Sequence, residues 1–80
     1  MPGTSELMRM MDAFLVGENR SRGFVSQMEG EFAASGLDDD DRFIDLQFAL
    51  AMFGAGEPAE DEKMLATECR HAVELLQREQ

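Results

Sequence analysis

The order of apolar and polar residues divides the chain into four segments of helical period. In the first, Leu7, Met10, Met11, Phe14 and Leu15 recur at three- and four-residue spacing, the stripe of an amphipathic helix. Thr4 or Ser5 is placed to cap it, Glu6 lies in the first turn where the helix dipole favours an acid, and Gly17 suits the C′ position. These signals predict a helix over residues 5–16. Asn19 or Ser21 opens a second over 20–35, with Phe24, Val25, Met28 and Phe32 as its stripe and Gly36 as its stop. Gly23 and Gly30 each weaken that helix by about 1 kcal/mol relative to alanine, a cost that close approach of a neighbouring helix would justify.

The third segment opens within four consecutive aspartates, Asp38 to Asp41, and predicts a helix over 39–53. Phe43, Leu46, Leu50 and Phe53 form one stripe, and Ile44, Phe48, Ala51 and Met52 extend it around the cylinder. A helix apolar on nearly every side is either central or covered at an interface. Gly54-Ala55-Gly56 breaks the pattern. Pro58 then suits a first helical turn, with Glu60, Asp61 and Glu62 where a helix start favours acids. Leu65, Cys69, Ala72, Val73 and Leu76 supply the stripe of a fourth helix over 58–78. No strand-like alternation, linker or repeat appears. Four helices with short connections predict a single all-α domain over 1–80, an antiparallel four-helix bundle.

An apolar fraction of 44% is enough for a core and argues against disorder. Charge changes the picture. Seventeen acids against seven Lys and Arg leave a formal net charge of -10, whose self-repulsion costs stability and has no purpose in a bare scaffold. Nucleic acid and an anionic membrane surface are poor partners for such a chain, and a basic protein is the natural complement. The longest apolar stretch, Phe48 to Phe53, is too short to span a bilayer, and no basic segment followed by an apolar run marks a signal peptide. The single cysteine excludes an internal disulfide and a four-cysteine zinc site. A soluble, cytoplasmic protein is expected.

Candidate chemistry is sparse. Cys69 and His71 lie two apart on one helix, so they point about 200° apart and do not form a nucleophile-base pair. Cys69 falls on the apolar stripe and reads as a core residue, His71 as an exposed one. The aspartates are consecutive, without the alternating ligands, central glycine and closing glutamate of a calcium loop. Acyl carrier proteins are also small, acidic and helical, but the stretch Asp39 to Phe43 offers no serine for a prosthetic arm. Most methionines read as core filler, although at least one of Met8, Met10 and Met11 should be exposed. Neither an enzyme nor a metal or cofactor site is expected.

What remains is the acidic clustering. A helix start accounts for one or two of Asp38, Asp39, Asp40 and Asp41, at about 0.3–1 kcal/mol each, and repulsion between neighbours erodes the rest. Glu57, Glu60, Asp61 and Glu62 form a second cluster at the far end of the third helix, about 20 Å away for the predicted length. Glu18 shares that end in an up-down bundle. Two negative poles are therefore expected on a molecule suited to steering a cationic partner.

The stretch Phe14-Leu15-Val16-Gly17, followed at a fixed interval by Phe24, is similar to the first helix-turn-helix of the colicin D immunity protein family. Asp61-Glu62-Lys63-Met64-Leu65, continuing through Arg70 to Leu76, resembles that family's last helix, and Phe43 to Phe53 has a similar apolar pattern. The likeness covers about residues 6 to 76. The family includes immunity proteins of contact-dependent growth inhibition systems. The resemblance implies a four-helix protein that binds the C-terminal nuclease domain of a cognate toxin. In the colicin D case the toxin cleaves tRNA, and acidic side chains near the end of the third helix and in the following connection cover its basic active site. Here Ala49 to Phe53 contains no acid, so Glu57, Glu60 and Asp61 are the matching positions. Glu57, Glu60, Asp61 and Glu62 are thus the leading contacts, with Asp38, Asp39, Asp40, Asp41 and Asp45 as a second set. The rival expectation is a small acidic adaptor or regulator acting through its apolar third helix.

Overall fold

The structure is a computed structural model that describes residues 4–78. Helix α1 spans Thr4–Leu15, so Thr4 and Ser5 are already helical and the capping position lies outside the described residues. Its far end closes as expected. Gly17 has a φ of 80°, its N–H donates to the Phe14 carbonyl at 3.1 Å, and the Glu18 N–H donates to the Ala13 carbonyl at 2.9 Å. That pair of bonds is a Schellman closure, which requires the left-handed conformation glycine adopts without strain.

Helix α2 spans Arg22–Ala34. Ser21 is its cap, its hydroxyl accepting from the Phe24 N–H at 3.2 Å. Asn19 instead orders the approach, accepting from the Ser21 N–H at 3.1 Å. Gly36, with a φ of 78°, ends the segment as predicted. Gly23 and Gly30 do not mark a close helix contact: nothing lies within 4 Å of a Cβ built at either.

The third helix is shorter than its sequence pattern predicts. Residues 37–39 and 41–43 form two short 3-10 turns, and α3 spans only Ile44–Met52. Asp40 separates the turns in an extended conformation, and its carboxylate accepts from the Arg42 N–H at 3.0 Å. An aspartate that binds the backbone two residues ahead offers the chain an alternative to helix, and that local bond delays the helix start. Helix α4 spans Pro58–Arg78 with Pro58 at its first position, as expected.

Each helix packs against the next, and α4 closes the ring along α1, giving an antiparallel helical bundle within an envelope of 34 × 24 × 19 Å. The core is drawn from every helix. Phe14 of α1, Phe32 of α2 and Phe43 before α3 are fully buried with Leu7, Met11, Met28, Leu65 and Cys69. Met10 is also buried and Met8 is half-buried against the core, so none of the three α1 methionines is exposed. Arg20 locks the α1–α2 corner. Its guanidinium donates to the Phe14 and Leu15 carbonyls at 2.8 and 3.1 Å and lies 5.0 Å above the Phe14 ring. No helix among the described residues is long and apolar enough to cross a membrane.

Candidate protein-interaction surface

The two acidic poles flank an α3 that is shorter than predicted. Nine residues at 1.5 Å rise make it about 14 Å long, where the sequence pattern implied about 20 Å. One pole gathers the aspartate turns and the first turn of α3. Asp38, Asp39, Asp41 and Asp45 are exposed there, and no ion pair among the described residues engages them. Asp40 differs. Arg42 Nη2 pairs with its carboxylate at 2.8 Å and Nε donates at 3.1 Å, and these bonds hold its pKa below the usual carboxylate value. Asp40 organises the turn, leaving its neighbours available.

The second pole lies in the α3–α4 connection, and there the structure redistributes the predicted roles. Glu57 and Glu60 are exposed, and no ion pair among the described residues engages them. Glu62 is half-buried and reaches back to Arg20, with Oε1 3.5 Å from Nη1. Asp61, expected among the leading contacts, is buried at 8 % exposure. Its Oδ2 accepts from the Gly54 N–H at 2.9 Å and the Gly56 N–H at 3.1 Å. Gly54 takes a φ of 86° at this point, and Arg22 donates to its carbonyl at 3.4 Å. Asp61 therefore ties the connection to α4 and is not presented to a partner. The sign was in the spacing: Asp61, Leu65 and Cys69 recur every four residues, so Asp61 continues the buried stripe.

Between the poles runs a surface of another kind. Leu46, Ala49 and Leu50 of α3 are buried, while Ile44, Phe48 and Met52 on its opposite side are 55 %, 60 % and 41 % exposed. The all-round apolar character of this helix is thus not explained by a central position. Its outer face is open.

Elsewhere, Cys69 is fully buried with its thiol pushed up to about 12, chiefly by desolvation and further by the Glu68 charge. His71 is exposed and turned away from it, beside Arg42, Asp45, Glu74 and Arg78 on a groove of 360 Å³ between α3 and the end of α4. That groove mixes both signs of charge. No group of three or more His, Cys, Asp or Glu side chains among the described residues is arranged to hold a metal. Comparison of the chain with protein-family models, curated proteins and solved structures returned no match.

Proposed function

We propose that this protein is a bacterial immunity protein that acts in the cytoplasm, binding the basic nuclease domain of a toxin and covering its active site. A tRNA-cleaving domain is the leading target. The observation that carries the proposal is a set of six exposed carboxylates at the two ends of α3, Asp38, Asp39, Asp41, Asp45, Glu57 and Glu60, which no ion pair among the described residues engages, on a chain of net charge -10. A nuclease that grips RNA phosphates presents a cationic surface, and carboxylates held in a fixed array occupy it in place of phosphate. Such an array steers the encounter, raising the association rate about 10- to 10³-fold at low salt. The tied connections matter to the same end, because Asp61 on the α3–α4 loop and Arg20 on the α1–α2 corner reduce the ordering that binding would otherwise require.

Co-expression tests the proposal. The gene is expressed in bacteria with and without an adjacent gene encoding a toxic nuclease domain. Growth should be restored by the wild-type chain, and the two proteins should co-purify at low salt. No protection and no complex would refute the proposal.

A further inference from the structure

The outer face of α3 has a shape and a setting that the carboxylates alone do not use. Ile44, Phe48 and Met52 recur every four residues, so their exposed side chains form one ridge about 12 Å long. In sequence, the exposed Asp38, Asp39 and Asp41 precede the ridge, the exposed Asp45 lies in its first turn, and the exposed Glu57 and Glu60 follow its end. Along one side, Ala51 leads into a shallow groove of 170 Å³ between α2 and α3, lined also by Val25, Leu50 and the opposite charges of Glu29 and Arg22. An apolar centre inside a charged rim is the anatomy of a protein interface, in which a few apolar anchors carry the affinity and rim charges set rate and register.

Charge decides what covers the ridge. A second copy pairing along α3 would set acidic ends against acidic ends in either direction, because both ends of the helix carry the same sign. An anionic lipid surface is repelled on the same ground. We infer that Ile44, Phe48 and Met52 are the anchor for a basic amphipathic helix of a partner protein, whose apolar stripe packs on the ridge and whose lysines and arginines meet the two acidic ends. Helix on helix is the packing such a ridge with a neighbouring groove accepts. The inference rests on the proposed function in one respect, that the partner is a basic protein. It does not require that partner to be a nuclease.

The probe is a synthetic amphipathic peptide of about five helical turns, leucines along one face and lysines on the other, beside a scrambled peptide of identical composition. Fluorescence anisotropy is measured with the wild-type chain, with Phe48→Ala and with Phe48→Leu, each checked for native helicity by circular dichroism. The wild-type chain should prefer the amphipathic peptide over the scrambled one. Phe48→Ala should weaken that binding about 5- to 20-fold, in proportion to the exposed part of the ring, and leave the scrambled peptide unchanged. Phe48→Leu should restore most of the loss. The effect of Phe48 should persist at about 1 M salt, where the Debye length is about 3 Å and rim charges are screened. Equal affinity for the two peptides would overturn the inference, as would equal binding by wild type and Phe48→Ala. A wild-type dimer in sedimentation that Phe48→Ala dissolves would overturn it too, by assigning the ridge to a second copy. Failure of the immunity proposal shows elsewhere, as unprotected growth in co-expression, and leaves the peptide result standing.

Discussion

Replacing Asp61 with alanine removes an interaction that a surface acid would not make. One carboxylate oxygen receives the Gly54 and Gly56 N–H groups at 2.9 and 3.1 Å, and the residue is 8 % exposed. Hydrogen bonds to a charged acceptor contribute about 1.5–3 kcal/mol each. Gly54 and Gly56 are themselves exposed, so water recovers part of the loss once the carboxylate is gone. Asp61→Ala should therefore cost about 2–4 kcal/mol. A domain of this size has about 4–12 kcal/mol in all, so the change is a large share of its stability. The melting temperature should fall by about 8–32 °C at about 4–8 °C per kcal/mol. Asp61→Asn keeps an acceptor oxygen and loses the charge, so about half that effect is expected. Glu60→Ala, one residue away and exposed, should stay within about 0.5 kcal/mol of wild type. Thermal and urea unfolding followed by far-ultraviolet circular dichroism reads all three variants. An Asp61→Ala midpoint within about 0.5 kcal/mol of wild type would refute the role assigned to the buried carboxylate.

Two glycines should respond with opposite signs. Gly30 sits in the middle of α2 with open space around it, so Gly30→Ala should stabilise the bundle by about 1 kcal/mol in urea titration. Gly17 has a φ of 80°, and Gly17→Ala should cost about 1–2 kcal/mol in the same measurement. Cys69 makes stability fall at high pH. Its thiol is raised from 9.0 to about 12 in the folded chain, so between those values the unfolded chain releases a proton that the folded chain keeps. Its contribution is complete below pH 9.0 and declines by about 1.4 kcal/mol per pH unit above it. Urea midpoints across that window should therefore drop more steeply for wild type than for Cys69→Ala, and parallel curves would contradict the assignment.

Four kinds of position show how far the sequence could be read. Chain reversals were legible: Gly17, Gly36 and Gly54 all take positive φ where the apolar stripes end, because glycine alone meets that demand without strain. The start of α3 was not, because dipole and capping arguments favour acids at a helix start without fixing which turn is helical. The Arg42 N–H, donating to the Asp40 carboxylate, settles it, and α3 begins at Ile44, five residues after the predicted start at residue 39. Acidity alone points Asp61 toward solvent, whereas its position on the stripe with Leu65 and Cys69 places it inside. The open face of α3 lay beyond sequence reasoning for another reason. A segment apolar on both sides gives no moment to orient it, and packing of Leu46, Ala49 and Leu50 against the neighbouring helices selects the inward side.

The same geometry alters the balance between the poles. Asp61 and Glu62 are engaged inside the molecule, which leaves Glu57 and Glu60 exposed at one end of α3 and Asp38, Asp39, Asp41 and Asp45 exposed at the other. A basic partner that spans α3 meets both.

The central claim is that the exposed carboxylates hold a cationic nuclease surface. Its most direct measurement is the dissociation constant of the complex with a nuclease domain that the chain protects against in co-expression, titrated over a range of salt. The titration is repeated for a chain carrying Asp38→Asn, Asp39→Asn, Asp41→Asn, Asp45→Asn, Glu57→Gln and Glu60→Gln together. Wild-type affinity should fall steeply as salt rises, and the sixfold amide variant should bind more weakly at low salt with a much flatter dependence. Equal affinities and equal salt slopes for the two chains would contradict the account.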